Sequence, residues 1–283
     1  MNEKELGILK DLQRTELDLL TQFIEVCNKL NLNYFLCGGT LIGAVRHKGF
    51  IPWDDDIDVC MLRKDYDIFI NEAQKYLDDK YFLQTYETDE DYLQCFAKIR
   101  NSETTFLEKS VKNFKMNHGV FIDIFPIDNY YLFNKLKVSM LKYALYSKYF
   151  ENNKKNVLKK FLLFISKKLY GRKNKKELCR EIEKVYSKAK NRKSKMVVNF
   201  CGFYCIKKEK HYKKDYQKCI TTSFENIKAN IPFGYDRILR KTYGNYMKLP
   251  PEEKRVSHHF SEIIDVNKSY NEYVQNNFDR WYF

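Results

Sequence analysis

The chain has 283 residues with 44% hydrophobic content, enough apolar material for a core of one large domain or two smaller ones, so a disordered or fibrous protein is excluded. The formal charge of +14 is uneven: residues 131–195 hold 21 Lys or Arg against 4 Glu and no Asp, so the rest of the chain is slightly acidic. "MNEKELGILK" lacks a charged leader followed by an apolar run, and "FLLFI" at 161–165 is too short to cross a bilayer. No export signal is expected, and the eight cysteines are read as reduced thiols of a cytoplasmic protein rather than a disulfide framework.

In chain order, Leu9, Leu12, Leu19, Leu20, Phe23, Ile24 and Cys27 recur at helical spacing, which predicts an amphipathic helix ended by Asn31 and Asn33. "YFLCG" reads as a short strand, and "GGTLIGAVRH" turns from a glycine pair into a helix. Pro52 limits helix before "DIDVCML", the next strand, and "RKDYDIFINEAQKYL" is helical. "YFLQTYE", "YLQCFAKIR" and "GVFIDIFPI" have strand composition. The sum is an α/β (α+β) core around a mixed sheet flanked by helices. The basic middle, 131–195, reads as a helical segment, and 196–283 as a mixed, aromatic C-terminal region in which "IPFGYDRILRKTYGNYMKLPPEEKR" is a helix followed by a Pro-rich turn. The expected units are a catalytic core over 1–130, the basic helical segment, and a C-terminal region that completes the site.

The chemistry concentrates in "GFIPWDDDIDV". Asp56 and Asp58, two apart on a strand, leave the same face and need a counter-charge. A hard divalent cation held by oxygen, Mg²⁺ or Mn²⁺, supplies it. Asp54 and Asp55 are placed in the approach loop as capping or water-mediated ligands. Asp123, between apolar neighbours in "VFIDIF", is the candidate third acid that completes the metal site and serves as general base, while Asp128 is read as a turn residue after Pro126. Gly38 and Gly39 allow close backbone approach to a phosphate, with Thr40 adding a hydroxyl, and Arg46, His47 and Lys48 are candidates to neutralise phosphate charge. Cys201, Cys205, His211 and Cys219 match no compact zinc spacing and are read as core thiols and a histidine. Trp53 is a candidate aromatic wall for a cationic group, and Trp281 another, though it reads first as a tail aromatic closing the core.

"YFLCGGTLIGAVRHKGFIPWDDDIDVCMLRKDYDIF" resembles the signature of the LicD family, whose relatives include fukutin and the fukutin-related protein; "GVFIDIFPID" and "YGNYMKLPPEEKRVSHH" resemble its later blocks. The resemblance implies a nucleotidyltransferase-like fold and a transferase that moves phosphocholine, or a similar phospho-group, from a CDP-linked donor. The acceptor is a hydroxyl of a lipopolysaccharide, teichoic acid or other surface-glycan precursor, and CMP is released. It puts Gly38, Gly39 and Thr40 at the phosphate turn, Asp56 and Asp58 as paired metal acids, Asp123 as third acid, and His258 and His259 near a donor phosphate. Asn245 stands where the family often has Asp, and is read as a turn or contact residue. The basic segment fits peripheral association with a membrane face or polyanionic acceptor. The alternatives are a nucleotidyltransferase that consumes an NTP and releases pyrophosphate, and a non-catalytic polyanion-binding protein. Nucleic acid is not the expected partner, because a polyanion binder gains nothing from clustered carboxylates.

Overall fold

A computed structural model describes residues 3–133, 135–148, 157–257, 259 and 261–273. The chain opens with α1 (Glu3–Lys29), whose buried stripe Leu9, Leu12, Leu19, Leu20, Phe23, Val26 and Cys27 follows the helical period and includes one acid, Glu16. Asn31 at φ 52° reverses the chain into β1 (Phe35–Leu36). There follow α2 (Gly38–Arg46), β2 (Asp58–Leu62), α3 (Arg63–Glu72) and β3 (Tyr81–Gln84). Next come β4 (Ala97–Asn101), β5 (Thr105–Glu108) and the long β6 (Val120–Asn129). The basic segment forms α4 (Lys135–Tyr146), α5 (Val157–Tyr170) and α6 (Lys175–Tyr186). A capping box at Asn174 and Glu177 starts α6. The C-terminal region contains β7 (Met196–Val198), α7 (Ile206–Glu209), β8 (Lys210–Tyr212), the hairpin β9 (Cys219–Phe224) and β10 (Ile227–Pro232), α8 (Tyr235–Tyr243) and β11 (Ser261–Asp265).

Seven of these strands make one mixed sheet ordered β1-β2-β6-β4-β3, with β7 on β6 and β8 on β7. The β2–β6 pair is parallel and sets Asp58 opposite Asp123; β4 runs antiparallel on the other side of β6 and sets Lys98 opposite Asp123. Three charged side chains from distant parts of the sequence therefore stand in one row across the sheet.

The larger core lies between α1, α2, α3 and the sheet, and Tyr216, Phe224, Ile231, Ile238, Leu239 and Tyr246 of the C-terminal region belong to it. A second core joins Leu93, Cys95 and Phe114 to Leu141, Leu145, Leu178, Ile182 and Phe200, so the basic helices are packed rather than freely solvated. The two cores are tied by Arg63 at the start of α3, which donates to both carboxylate oxygens of Asp128 at 2.8 Å and to Glu183 of α6 at 2.7 Å. This corrects the reading of Asp128: it is a buried strand residue in an ion pair, not a turn residue.

Candidate active site

The glycine pair opens α2 directly against the acids. Gly38 has φ +58°, and a Cβ on it would lie 2.2 Å from Asp58 Oδ2; on Gly39 it would lie 2.7 Å from Asp54 Oδ2. Only glycine fits both the backbone angle and the space at Gly38. The Thr40 hydroxyl is engaged locally: Oγ1 accepts the Asp58 backbone N–H at 2.8 Å, while Cys37 N–H donates to Asp58 O at 3.0 Å. These two bonds fix where the Asp58 carboxylate leaves the strand.

Among the described residues, the acids whose ligand oxygens lie within 4.8 Å of one another are Asp54, Asp55 and Asp56. The loop residues expected only to cap or coordinate through water thus form the tightest group with Asp56. Asp58 and Asp123 border it within electrostatic reach, and Lys98 Nζ stands 2.7 Å from Asp123 Oδ1. Glu16 of α1 joins them, buried, with Oε2 lacking a hydrogen-bond partner among the described residues. Burial and the neighbouring Asp56 and Asp55 raise the Asp54 carboxyl to about 8. Burial and Asp56 push Asp58 well above the usual carboxylate range, and the same causes act on Glu16. So many carboxylates in one buried field, with an all-oxygen donor set, fit a hard divalent cation.

Positive groups form the rim. Arg46 lies in the field of Asp54 and donates to Tyr246 O at 2.6 Å and to His47 Nδ1 at 3.3 Å. Burial and the Arg46 charge lower the His47 pKa, so that imidazole is neutral at neutral pH. His259 reaches Asp55 through its backbone N–H at 3.2 Å and through Nδ1 at 3.4 Å. Burial opposes its protonation, but the Asp55 bond and the Asp56 charge outweigh it and raise the pKa to about 9. His258 and Trp281 lie outside the described residues. Trp53 faces the Arg255 guanidinium at 5.6 Å. Asn245 is exposed in the turn after α8, where its carbonyl accepts from Lys248 N–H. Cys201 bonds to Cys95 O, but Cys205 and Cys219 are exposed, which corrects their reading as core thiols; none belongs to a metal-ligating group among the described residues.

Glu16 and Lys98 were missing from the sequence reading. Each left a signal: an acid on the apolar stripe of α1, and a lysine inside the apolar run "CFAKIR".

Residues 31–161 match the family described as LicD/FKTN/FKRP, nucleotidyltransferase domain. The lipopolysaccharide cholinephosphotransferase LicD of Haemophilus influenzae is 32% identical over 271 residues, 90% of this chain and 97% of that protein. Two uncharacterized proteins, RP689 of Rickettsia prowazekii and RT0683 of Rickettsia typhi, are each 49% identical over 41 residues, about a seventh of this chain.

Proposed function

The chain belongs to the LicD family, and from that premise we propose that it is a cholinephosphotransferase. It moves phosphocholine from CDP-choline to a hydroxyl of a lipopolysaccharide or related surface-glycan precursor and releases CMP. The observation that carries this reading is the glycine-opened helix standing against a cluster of buried carboxylates, in a chain related over nearly its whole length to a lipopolysaccharide cholinephosphotransferase.

Asp54, Asp55, Asp56 and Asp58 are the residues to hold Mg²⁺ or Mn²⁺. When bound, the metal offsets charge on the donor's pyrophosphate, where phosphoryl transfer most needs help. The protein's own groups do the rest. The attacking hydroxyl gives its proton to Asp123, and its oxygen bonds to the phosphorus that carries choline. The bond from that phosphorus to the bridging oxygen breaks, and the electron pair leaves with CMP. Lys98, 2.7 Å from Asp123, keeps that carboxylate from adding a further uncompensated charge to the cluster. His259, protonated at neutral pH, and Arg46 offer cationic donors to phosphate oxygens at the rim. No helix among the described residues is long and apolar enough to cross a membrane, and the basic segment supports peripheral docking at a membrane face carrying a lipid-linked acceptor.

The test is a melting-temperature panel with Mg²⁺ and CDP-choline, CDP-ribitol, CDP-glycerol, CTP or ATP, run beside an assay of released CMP. Stabilisation by CDP-choline that needs the metal and disappears in Asp58→Asn, with CMP as product, is the expected result. Stabilisation by CTP or ATP alone, with pyrophosphate released, would replace this reading by the NTP-consuming one.

A further inference from the structure

A cavity of about 120 Å³ adjoins the acidic site and shares Gly38 and Asp58 with it. Its remaining walls mix aliphatic side chains, among them Leu36, Leu41 and Ile238, with the rings of Phe125 from β6, Tyr204, Tyr216, and Tyr243 from α8. One further acid lines it, Glu209 at the end of α7. Glu209 accepts the Tyr204 backbone N–H at 3.0 Å, and a Cβ on Gly202 would lie 2.5 Å from its carboxyl, so the 202–204 loop is folded tightly over it. Among the described residues no Lys or Arg nitrogen lies within ion-pair distance of this carboxylate. His211, also in the wall, is kept neutral by burial, with its pKa lowered to about 4, and so does not repel a cation.

We propose that this cavity binds the quaternary ammonium head of the donor against the rings of Tyr204, Tyr243, Phe125 and Tyr216, with Glu209 as the counter-charge. The proposal rests on the choline-donor reading above. A primary ammonium carries three N–H donors and needs an acceptor for each, whereas most of this lining is apolar, with Asp58 and Glu209 as its carboxylates. A trimethylammonium group has no N–H donor, and aromatic faces attract it. A cavity of about 150 Å³ holds a benzene ring, so about 120 Å³ leaves room for a compact head and little else. The position agrees as well: Gly38 and Asp58, shared by cavity and acidic site, put the head beside the phosphate turn. Lys208 lies 4.7 Å over the Tyr204 ring, so this ring already engages a cation. Trp53, the aromatic nearest the acids in sequence, meets Arg255 instead.

The experiment is calorimetric titration of the full chain at pH 8, where the Glu209 carboxyl is ionised, with Mg²⁺ present, using CDP-choline, CDP-glycerol and CMP. Wild type and the variants Tyr204→Leu, Tyr204→Phe and Glu209→Gln are compared, each first checked for a cooperative melt. Wild type is expected to prefer CDP-choline to CDP-glycerol by on the order of tenfold, the equivalent of ~1.4 kcal/mol. Tyr204→Leu and Glu209→Gln should erase most of that preference while leaving CMP affinity unchanged, and Tyr204→Phe should keep it. If the wild-type preference survives in the Leu and Gln variants, the head binds elsewhere: the cavity assignment fails while the donor reading stands. Equal loss of CDP-choline and CMP binding would mark these residues as structural and overturn the assignment. A wild type with no preference for CDP-choline would overturn both.

Discussion

Gly38 shows how narrow the tolerances of the site are. Its φ of +58° costs an L-residue about 1–2 kcal/mol, and a Cβ would drive into Asp58 Oδ2 at 2.2 Å. Gly38→Ala should therefore fold with a melting point a few degrees lower, yet lose CMP release by roughly a hundredfold, because small displacements of a catalytic group carry costs of that order. A near-wild-type rate would mean that Asp58 need not stand where Gly38 allows it to. Glu209 tests burial instead of geometry. Desolvation lifts its pKa from 4.5 to about 7 in the folded state, so folding favours the protonated form. Its contribution to stability is complete below the unfolded value and is lost as pH rises through about 7. Glu209→Gln removes that dependence. Thermal unfolding from pH 5 to pH 8 should show the variant gaining on wild type by up to ~3 kcal/mol across that window. Parallel curves would show that the carboxylate is better solvated than the fold implies.

Between elements, the Arg63 fork joins the two cores. Arg63 holds Asp128 of β6 through two bonds and Glu183 of α6 through a third, and Tyr86 also donates to Glu183. Removing Asp128 leaves the buried Arg63 guanidinium with Glu183 and Asp67, so the cost falls toward the low end of the about 3–5 kcal/mol for a stranded buried charge. Asp128→Ala should lower the melting point by roughly 10 °C and speed hydrogen exchange in α6 more than in α1. Uniform exchange changes would show that α6 does not depend on this tie. In sequence, "FPIDN" looks like a turn because of Pro126. The structure tolerates that proline because β4 pairs only with 120–124 of β6 and β7 only with 128–129, so no strand on that side needs its N–H. The main helices and strands were legible because their apolar periods are local, and the glycine pair and the aspartates were legible because each is contiguous. Lys98 and Glu16 became part of the site through register and packing between elements far apart in the chain. Glu209 reached the neighbouring cavity in the same way, and no local period encodes such meetings.

At the scale of the molecule, the charge is unevenly divided. Residues 131–195 carry +17, while the acidic site is built on the other core. Packing covers one side of the basic helices and leaves Leu136, Phe161, Phe164 and Leu169 exposed, with Lys160, Lys167 and Lys168 exposed around the α5 rings. Large apolar side chains ringed by lysine suit an anionic bilayer surface, where rings enter the interface and ammonium groups meet phosphate. A polyanionic glycan would use the lysines but would leave the phenylalanines idle. Co-sedimentation with vesicles separates the two. Binding to vesicles rich in anionic lipid should exceed binding to neutral vesicles and weaken with salt. Reversing the three lysines to glutamate should reduce it by at least a hundredfold, given ~1 kcal/mol per basic residue near the surface. Phe161→Ser with Phe164→Ser should remove the part of the binding that survives high salt, without altering CMP release on a soluble acceptor. If the serine variant binds vesicles as wild type does, the exposed rings have no membrane role, and the lysines alone act as an electrostatic surface for the acceptor.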